Sequence, residues 1–241
     1  LVGRAAHTVY QADEPGARFG CAMASGDLDG DDIDDLIVGA DVGTDGAVDG
    51  GNGSVHVFLG GALPGGVRDA DAVADAVIYG GVRNEGLGHA VAAVDLDHDG
   101  RDDLIMGAPA YHCRQAAGRP DQPNCDNVIA LSGSVYTMLG RTKQKWRALG
   151  DEFLSRDADL VVDGDVHDGG FGISIASAGN VDGDTEEDVI IGSQADEAYL
   201  WYGGTNPGSF EHQTSHEAHA IFDGAGLAGH PGMAVAGADF I

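Results

Sequence analysis

Residues 19–40 read FGCAMASGDLDGDDIDDLIVGA, and this stretch decides the fold. A segment of small and apolar residues leads into a run of aspartates, and a second apolar segment then ends at Gly39-Ala40. Two short apolar segments on either side of a polar turn predict two paired strands. The hairpin and its acidic loop therefore define a pattern that can be sought along the rest of the chain.

The pattern recurs at three further places. Residues 87–109 read LGHAVAAVDLDHDGRDDLIMGAP, residues 171–193 read FGISIASAGNVDGDTEEDVIIGS, and a fourth copy begins at Pro231-Gly232. Two more apolar segments follow each of the first three copies, at 54–60 and 76–79, at 134–140 and 159–162, and at 198–203 and 219–222. We therefore expect four-stranded units over about 19–80, 87–163 and 171–223, with partial units at 1–18 and 230–241. Such units are typical of an all-β propeller, because radial stacking buries both faces of each blade.

Composition agrees with this class and excludes others. The chain has 241 residues, of which 40 are glycine, and 43% are hydrophobic. Glycine is frequent in tight turns and disfavours helices. The net charge of −28 argues against nucleic acid and anionic membranes as partners. No apolar run approaches the roughly 18 residues of a membrane helix, so we expect no direct membrane insertion.

The acidic segments are candidate calcium loops, which we call loop 1 (27–35), loop 2 (95–103) and loop 3 (180–188). Their positions 1, 3, 5 and 9 all carry oxygen side chains: Asp27, Asp29, Asp31 and Asp35; Asp95, Asp97, Asp99 and Asp103; Asn180, Asp182, Asp184 and Asp188. Position 7, which is Ile33, Arg101 or Glu186, would add a backbone carbonyl. Ca²⁺ takes six to eight oxygen ligands, so each loop predicts one Ca²⁺ site. Acidic turns that hold no metal are the alternative.

Details of the loops narrow the choice of metal site. An EF-hand requires a glutamate at position 12 and flanking helices, but Val38, Met106 and Ile191 occupy that position within strand patterns. Mg²⁺ is the lesser candidate, because it demands a tighter octahedral site. Loop 3 begins with an asparagine and carries one charge fewer at these positions, so we expect it to bind most weakly.

The three cysteines indicate the compartment. Cys113 and Cys125 bracket a loop without a strand pattern, and a disulfide between them would pin that insertion, with two free thiols as the alternative. Cys21 lies in an alternating apolar segment and is expected to be a small buried residue. A disulfide would place the protein in an oxidising compartment, secreted or at the cell surface.

The Phe-Gly start, the acidic loop and the end at Gly107-Ala108-Pro109 resemble the FG-GAP repeat of integrin α-subunit propellers. The resemblance covers essentially the whole chain, although Leu87 and Pro231 replace the first phenylalanine. It implies a ring of roughly seven blades, of which this chain holds three complete ones, so that further propeller sequence or another chain would cover the open ends. It also implies structural Ca²⁺ ions on the face opposite the ligand-binding face.

Two classes of function follow. The first is an extracellular, calcium-stabilised adhesion scaffold that binds a protein or glycan ligand through its loops. The second is an accessory propeller of a larger secreted hydrolase of the phospholipase type, with the catalytic residues outside this chain. An enzyme with its site in the central channel is a third reading, but no nucleophile–base pair or metal triad occurs at usable spacing. We therefore expect no catalytic residues here.

Overall fold

The chain is all-β with short helical turns. The computed structural model describes residues 8–12, 16–42, 52–61, 66–81, 85–109, 132–149, 153–166, 169–204, 213–224 and 234–236. In chain order the elements are β1 (Thr8–Gln11), β2 (Ala22–Gly26), β3 (Asp35–Ala40), β4 (Ser54–Phe58), β5 (Gly66–Asp69), α1 (Ala70–Val73), β6 (Ala76–Tyr79), β7 (Ala90–Val94), β8 (Asp103–Ala108), β9 (Ser134–Met138), α2 (Lys143–Arg147), β10 (Leu160–Asp163), β11 (Ser174–Gly179), β12 (Asp188–Gly192), β13 (Glu197–Trp201), β14 (Gln213–Thr214) and β15 (Ala220–Asp223). Two 3₁₀ turns precede β10 and β15, at Ser155–Asp157 and Ser215–Glu217.

The described residues include three four-stranded antiparallel units, one of which is extended by a fifth, parallel strand, and these units confirm the predicted propeller blades. Blade 1 has the strand order β2-β3-β4-β6, blade 2 the order β7-β8-β9-β10, and blade 3 the order β11-β12-β13-β15. The first two strands of each blade are joined by an acidic loop, as in blade 1, where Gly26 pairs with Asp35 at the two ends of loop 1. Each acidic loop is therefore the turn of the hairpin formed by the first and second strands of its blade.

The core lies between the blades. Strands β8 and β9 are buried along their whole length, because blade 2 is covered on both faces. Leu104 and Met106 pack in the cluster shared with blade 1, whereas Ile105, which points to the other face, packs in the cluster shared with blade 3. Alternating side chains are thus apolar on both faces, which explains why these strands read as continuous apolar runs.

Blades 1 and 3 each also contribute a strand that pairs in parallel with the strand of the preceding unit. The segment between the third and fourth strands of blade 3 forms β14, which pairs in parallel with β10 of blade 2. Strand β5 of blade 1 pairs in the same way with β1, and Tyr79 of blade 1 forms a parallel bridge with Leu154 of blade 2. Strand β1 therefore occupies the place of a fourth strand ahead of blade 1. The sequence did not predict this exchange.

The repeated glycines of the motif bring the blade backbones together. Gly88 has a φ of +84°, which favours glycine, and a Cβ added to Gly39 of blade 1 would lie 2.0 Å from the Gly88 carbonyl oxygen of blade 2. Gly107 of blade 2 meets Gly172 of blade 3 in the same way, at 2.1 Å. The glycine that ends the second strand of one blade thus contacts the glycine that opens the next blade.

Two expectations about single residues need comment. Cys21 is exposed, so the prediction that it is buried was wrong. It precedes β2 in a turn shaped by the positive φ values of Arg18 and Gly20, and its thiol lies 3.4 Å from the Gly88 carbonyl oxygen. The predicted disulfide between Cys113 and Cys125 lies outside the described residues and stays a prediction.

Candidate metal centres

Loop 1 is folded around the side chain of its first residue. Asp27 Oδ1 accepts hydrogen bonds from the backbone N–H groups of Gly30 (2.7 Å) and Asp31 (3.1 Å), and Oδ2 accepts one from Asp32 (2.8 Å). Gly30 and Asp32 have φ values of +78° and +63°, which turn the backbone sharply. The loop curls round Asp27, so that the acidic side chains that follow can converge on one point.

Asp29 is buried without hydrogen bonds. Its side chain is 1% exposed, and neither carboxylate oxygen has a hydrogen-bond partner. One oxygen each from Asp27, Asp29 and Asp35 lies within 4.8 Å of the others. Burying a carboxylate without hydrogen bonds is costly unless a cation compensates its charge. This set of hard oxygen donors fits Ca²⁺.

The aspartate at position 9 of each loop also stabilises the hairpin by accepting backbone hydrogen bonds. The sequence pattern did not predict this role. Asp35 accepts hydrogen bonds from the backbone N–H groups of Leu28 (2.9 Å) and Gly60 (2.6 Å). The same two bonds recur in the other blades, where Asp103 accepts from Leu96 and Gly140, and Asp188 accepts from Val181 and Gly203. All three aspartates are at most 1% exposed. Each therefore ties the loop to the third strand of its own blade.

Loop 2 brings together a different subset of the predicted ligands. Oxygens of Asp95, Asp97 and Asp99 lie within 4.8 Å of one another, and Asp103 is not part of this group. In loop 1, Asp31 is the residue outside the corresponding group. Asp99 is also paired with the Arg101 guanidinium at 2.7 Å. Three of the four predicted side-chain ligands are therefore gathered in each of these two loops.

Loop 3 is arranged differently. All of its residues are described, and the carboxylates of Asp182, Asp184 and Asp188 do not form a group of this closeness. Asn180 Oδ1 accepts a hydrogen bond from the Gly183 N–H (2.7 Å), while its Nδ2 donates to the Asp184 carbonyl (2.5 Å). An amide nitrogen cannot ligate Ca²⁺, so this orientation agrees with the expectation that loop 3 binds most weakly, which stays a prediction.

The position 7 side chains share no common role. Ile33 is 47% exposed, Arg101 pairs with Asp99, and Glu186 is buried, where it accepts hydrogen bonds from the backbone and hydroxyl of Thr185. The hydrogen bonds from Thr185, more than any other cause, lower the pKa of Glu186. That the backbone carbonyl at this position ligates a metal stays a prediction.

Neighbouring loops are hydrogen-bonded to one another. Asp102, at position 8 of loop 2, accepts a hydrogen bond from the Asp27 N–H (2.9 Å), and its own N–H donates to the Asp27 carbonyl (2.8 Å). The Glu187 N–H in loop 3 likewise donates to the Asp95 carbonyl of loop 2 (3.3 Å). The first residue of loop 1 and that of loop 2 are therefore positioned partly by the next blade.

Burial, and to a lesser extent the crowding of carboxylates, shifts the pKa values of several loop aspartates upward. Burial raises the pKa of Asp103 to about 7 and the pKa of Asp35 to about 6. Burial also raises the pKa of Asp29 and Asp97, and the neighbouring carboxylates of Asp31 and Asp99 add to this effect. Without a metal ion the folded chain therefore holds on to protons that an unfolded chain would release.

We expect the metal-free protein to lose stability as the pH rises from 5 to 8. Asp35 and Asp103 have pKa values of about 6 and about 7 in the folded state, above the ordinary aspartate value of about 3.9. Their contribution to stability is therefore complete below pH 4 and is lost as the pH passes 6 and 7. Calorimetric Tm values across this range should fall without calcium and fall less with it. If the Tm of the metal-free protein instead rises from pH 5 to pH 8, the raised pKa values of Asp35 and Asp103 would be contradicted.

Repeated four-stranded blades whose opening hairpins carry acidic loops define a β-propeller architecture. A sequence model of the FG-GAP repeat matches residues 19–58 and 87–121, which include loops 1 and 2. The chain is an FG-GAP repeat protein that resembles integrin α subunits. Blade 3 lies outside the matched residues, and its place in the repeat follows from its sheet and its loop.

Several curated proteins are similar to this chain. Integrin alpha pat-2 of Caenorhabditis briggsae is 30% identical over 203 residues, which are 78% of this chain and 14% of the relative. Integrin alpha-5 of Xenopus laevis is 36% identical over 107 residues, 44% of this chain and 8% of the relative. Human phosphatidylinositol-glycan-specific phospholipase D is 30% identical over 189 residues, 76% of this chain and 19% of the relative. The chain thus spans less than a fifth of the length of each of these relatives.

Proposed function

We propose that this chain is a calcium-stabilised propeller segment that serves as a non-catalytic binding scaffold. The observation that carries the proposal is Asp29, a fully buried carboxylate without hydrogen bonds that converges with Asp27 and Asp35. Lys143 brings a single positive charge to 3.6 Å from Asp29 Oδ2, and a bound Ca²⁺ would supply the further positive charge that these three carboxylates require. The chain's own residues shape the loop through the backbone hydrogen bonds to Asp27 and Asp35.

Ions at these loops would act on the assembly of the blades as well as on the loops themselves. Asp27 and Asp95 are hydrogen-bonded through their backbones to the loop of the following blade. A cation that fixes the first residue of a loop therefore also fixes the contact with the next blade. This link supports a structural role for calcium, in which the ions rigidify a surface that other residues use for binding.

Calcium titration by calorimetry tests the proposal. We expect the folded chain to bind Ca²⁺, and the substitution Asp97→Asn to remove one equivalent of binding, since Asp97 belongs to the group of three carboxylates in loop 2. Asp157→Asn is the matched control, because Asp157 is an exposed aspartate in a 3₁₀ turn away from the loops. Heat of binding that is absent for the folded protein would refute a calcium function outright.

The proposed setting is extracellular, and the proposed ligand is a protein or a glycan. The similarity to integrin α subunits over most of this chain supports this setting. None of the helices in the described ranges has the length and apolar character needed to cross a membrane. The net charge of −28 disfavours polyanionic partners. The ligand would bind to the loops of a scaffold that calcium keeps rigid.

A second candidate is an accessory propeller within a larger hydrolase. It is favoured by the similarity to human phosphatidylinositol-glycan-specific phospholipase D over 76% of this chain. Assay of the complete gene product for phospholipase activity separates the two candidates. Activity that maps to sequence outside this chain would favour the accessory role, and an inactive complete product would favour the scaffold.

A further inference from the structure

A lysine of blade 2 reaches the acidic group of blade 1. The Lys143 ammonium lies 3.6 Å from Asp29 Oδ2 and 3.5 Å from Asp31 Oδ2, and it is 3.4 Å from the Gly60 carbonyl oxygen. Lys143 opens helix α2, and the chain has only 12 basic residues against 40 acidic ones. Its position beside loop 1 is therefore not a consequence of abundant surface lysine.

Helix α2 is anchored so that Lys143 faces the loop. Trp146 is fully buried, and its indole N–H donates a hydrogen bond to the Leu28 carbonyl of loop 1 at 3.1 Å. The Arg141 N–H donates to the same carbonyl at 3.0 Å. These bonds fix the helix against loop 1, while the lysine stem, whose side chain is 36% exposed, keeps room to move outward.

The ammonium is placed beside the buried carboxylate that has no hydrogen bonds. Asp29 is the member of the loop 1 group that most needs a counter-charge, because both of its oxygens are buried and without hydrogen-bond partners. Lys143 supplies one positive charge at ion-pair distance without forming a hydrogen bond to Asp29. A divalent ion bound among Asp27, Asp29 and Asp35 would lie close to the Lys143 ammonium, and the two cations would repel each other.

In the sequence, the position of blade 3 that corresponds to Lys143 does not hold a lysine. Gly140 and Gly203 donate equivalent hydrogen bonds to the position 9 aspartates of blades 2 and 3, and these bonds align the two blades. Counting three residues onward aligns Lys143 with Asn206, which carries no charge. Loop 2 has a cation of its own, because the Arg101 guanidinium pairs with Asp99 at 2.7 Å, but Asp99 is exposed, whereas the carboxylate that Lys143 approaches is buried.

We propose that Lys143 is a tethered cation that competes with the divalent ion at loop 1 and weakens the binding of Ca²⁺ there. The inference rests on the calcium function proposed above. Binding at loop 1 requires the ammonium to move away from Asp29 and Asp31, because two cations cannot share these oxygens without strong repulsion. Removal of this charge is expected to raise the affinity of loop 1 by about tenfold, after allowance for screening and for the mobile lysine stem.

The two tryptophans allow loop 1 to be observed separately. Trp146 contacts loop 1, whereas Trp201 lines a small cavity with Leu96 of loop 2. In a Trp201→Phe background Trp146 is the only tryptophan, since the chain has two. Terbium, which shares the preference of calcium for oxygen ligands, then emits by energy transfer from Trp146, and displacement of terbium by Ca²⁺ reports the calcium affinity of loop 1.

The experiment compares Lys143→Met with Lys145→Met in that background. Lys145 is an exposed residue of the same helix, so its substitution controls for the loss of one positive charge from α2. We expect Lys143→Met to lower the calcium concentration needed for displacement about tenfold, and Lys145→Met to leave it nearly unchanged. Melting curves provide a second readout, in which Ca²⁺ should raise the Tm of Lys143→Met more than that of the parent.

Each outcome bears on one hypothesis. Equal affinities for the two lysine variants, with calcium binding intact, would overturn the role of Lys143 and leave the calcium function standing. A Lys143→Met protein whose Tm falls equally with and without Ca²⁺ would likewise assign the lysine a purely structural role. Failure of the parent protein to bind Ca²⁺ or terbium would refute the calcium function itself.

Discussion

Replacing Gly39 with alanine is expected to destabilise the protein by about 3 kcal/mol or more, a large part of the 5–15 kcal/mol that stabilises a typical domain. The added Cβ would lie 2.0 Å from the Gly88 carbonyl oxygen and 2.9 Å from its carbonyl carbon. Both atoms belong to the backbone of blade 2, so no side-chain rotation relieves the overlap. The second strand of blade 1 would have to move away from the start of blade 2, and the shared core would open with it. Urea unfolding measures the loss.

Gly20→Ala is the matched control. Gly20 has a φ of +87°, but no atom lies within 4 Å of the place its Cβ would take. Its replacement therefore brings only backbone strain, which costs about 1–2 kcal/mol. Gly107→Ala should behave like Gly39→Ala, since its Cβ would lie 2.1 Å from the Gly172 carbonyl oxygen. If Gly20→Ala and Gly39→Ala lose equal free energy of unfolding, the close approach of the two blade backbones does not contribute to stability.

Removal of calcium is expected to lower the Tm of the calcium-loaded protein by roughly 10–30 °C. Each site held at a hundred times its Kd contributes about 2.7 kcal/mol to stability. In a domain of this size 1 kcal/mol corresponds to about 2–4 °C, and two or three sites act together. The physical cause is the return of repulsion among crowded carboxylates such as the buried Asp29 and the half-buried Asp97, whose pKa values desolvation already raises.

The measurement is a melting curve in excess Ca²⁺ and again after addition of a chelator. Asp97→Asn should reduce the difference between the two curves, because it removes one carboxylate from the group in loop 2. Replacement of Ca²⁺ by Mg²⁺ should restore less of the Tm, since Mg²⁺ prefers a tighter octahedral site. Coincident curves with and without the chelator would rule out structural calcium.

Local pattern was sufficient to predict the blades. Strands such as β3 and β8 follow directly from apolar runs next to acidic loops, because strand periodicity and turn composition are properties of neighbouring residues. The sequence did not predict α1, α2 or β14, which are short and depend on contacts made elsewhere. Helix α2, for example, is held by Trp146, whose hydrogen-bond partner Leu28 is 118 residues away.

The candidate sites could be predicted only in part, and for a similar reason. Regular spacing of oxygen side chains identified the loops, and the structure gathers Asp27, Asp29 and Asp35 in one of them. Spacing alone could not show that Asp35 also accepts two backbone hydrogen bonds or that Lys143 stands beside Asp29. These contacts join different strands or blades, so they depend on how the sheets pack and not on the loop itself.

The strand β14, which blade 3 contributes to the sheet of blade 2, has a consequence for biosynthesis. A nascent chain emerges from its amino terminus, so the outer edge of blade 2 along β10 stays unpaired until β14 has been made. Gln213, which pairs in register with Val162, is synthesised 51 residues after it. An unpaired edge can recruit strands from other chains. The order of synthesis is also the order in which edges are closed, and a ribosome that pauses between β10 and β14 would prolong the exposure of an aggregation-prone edge.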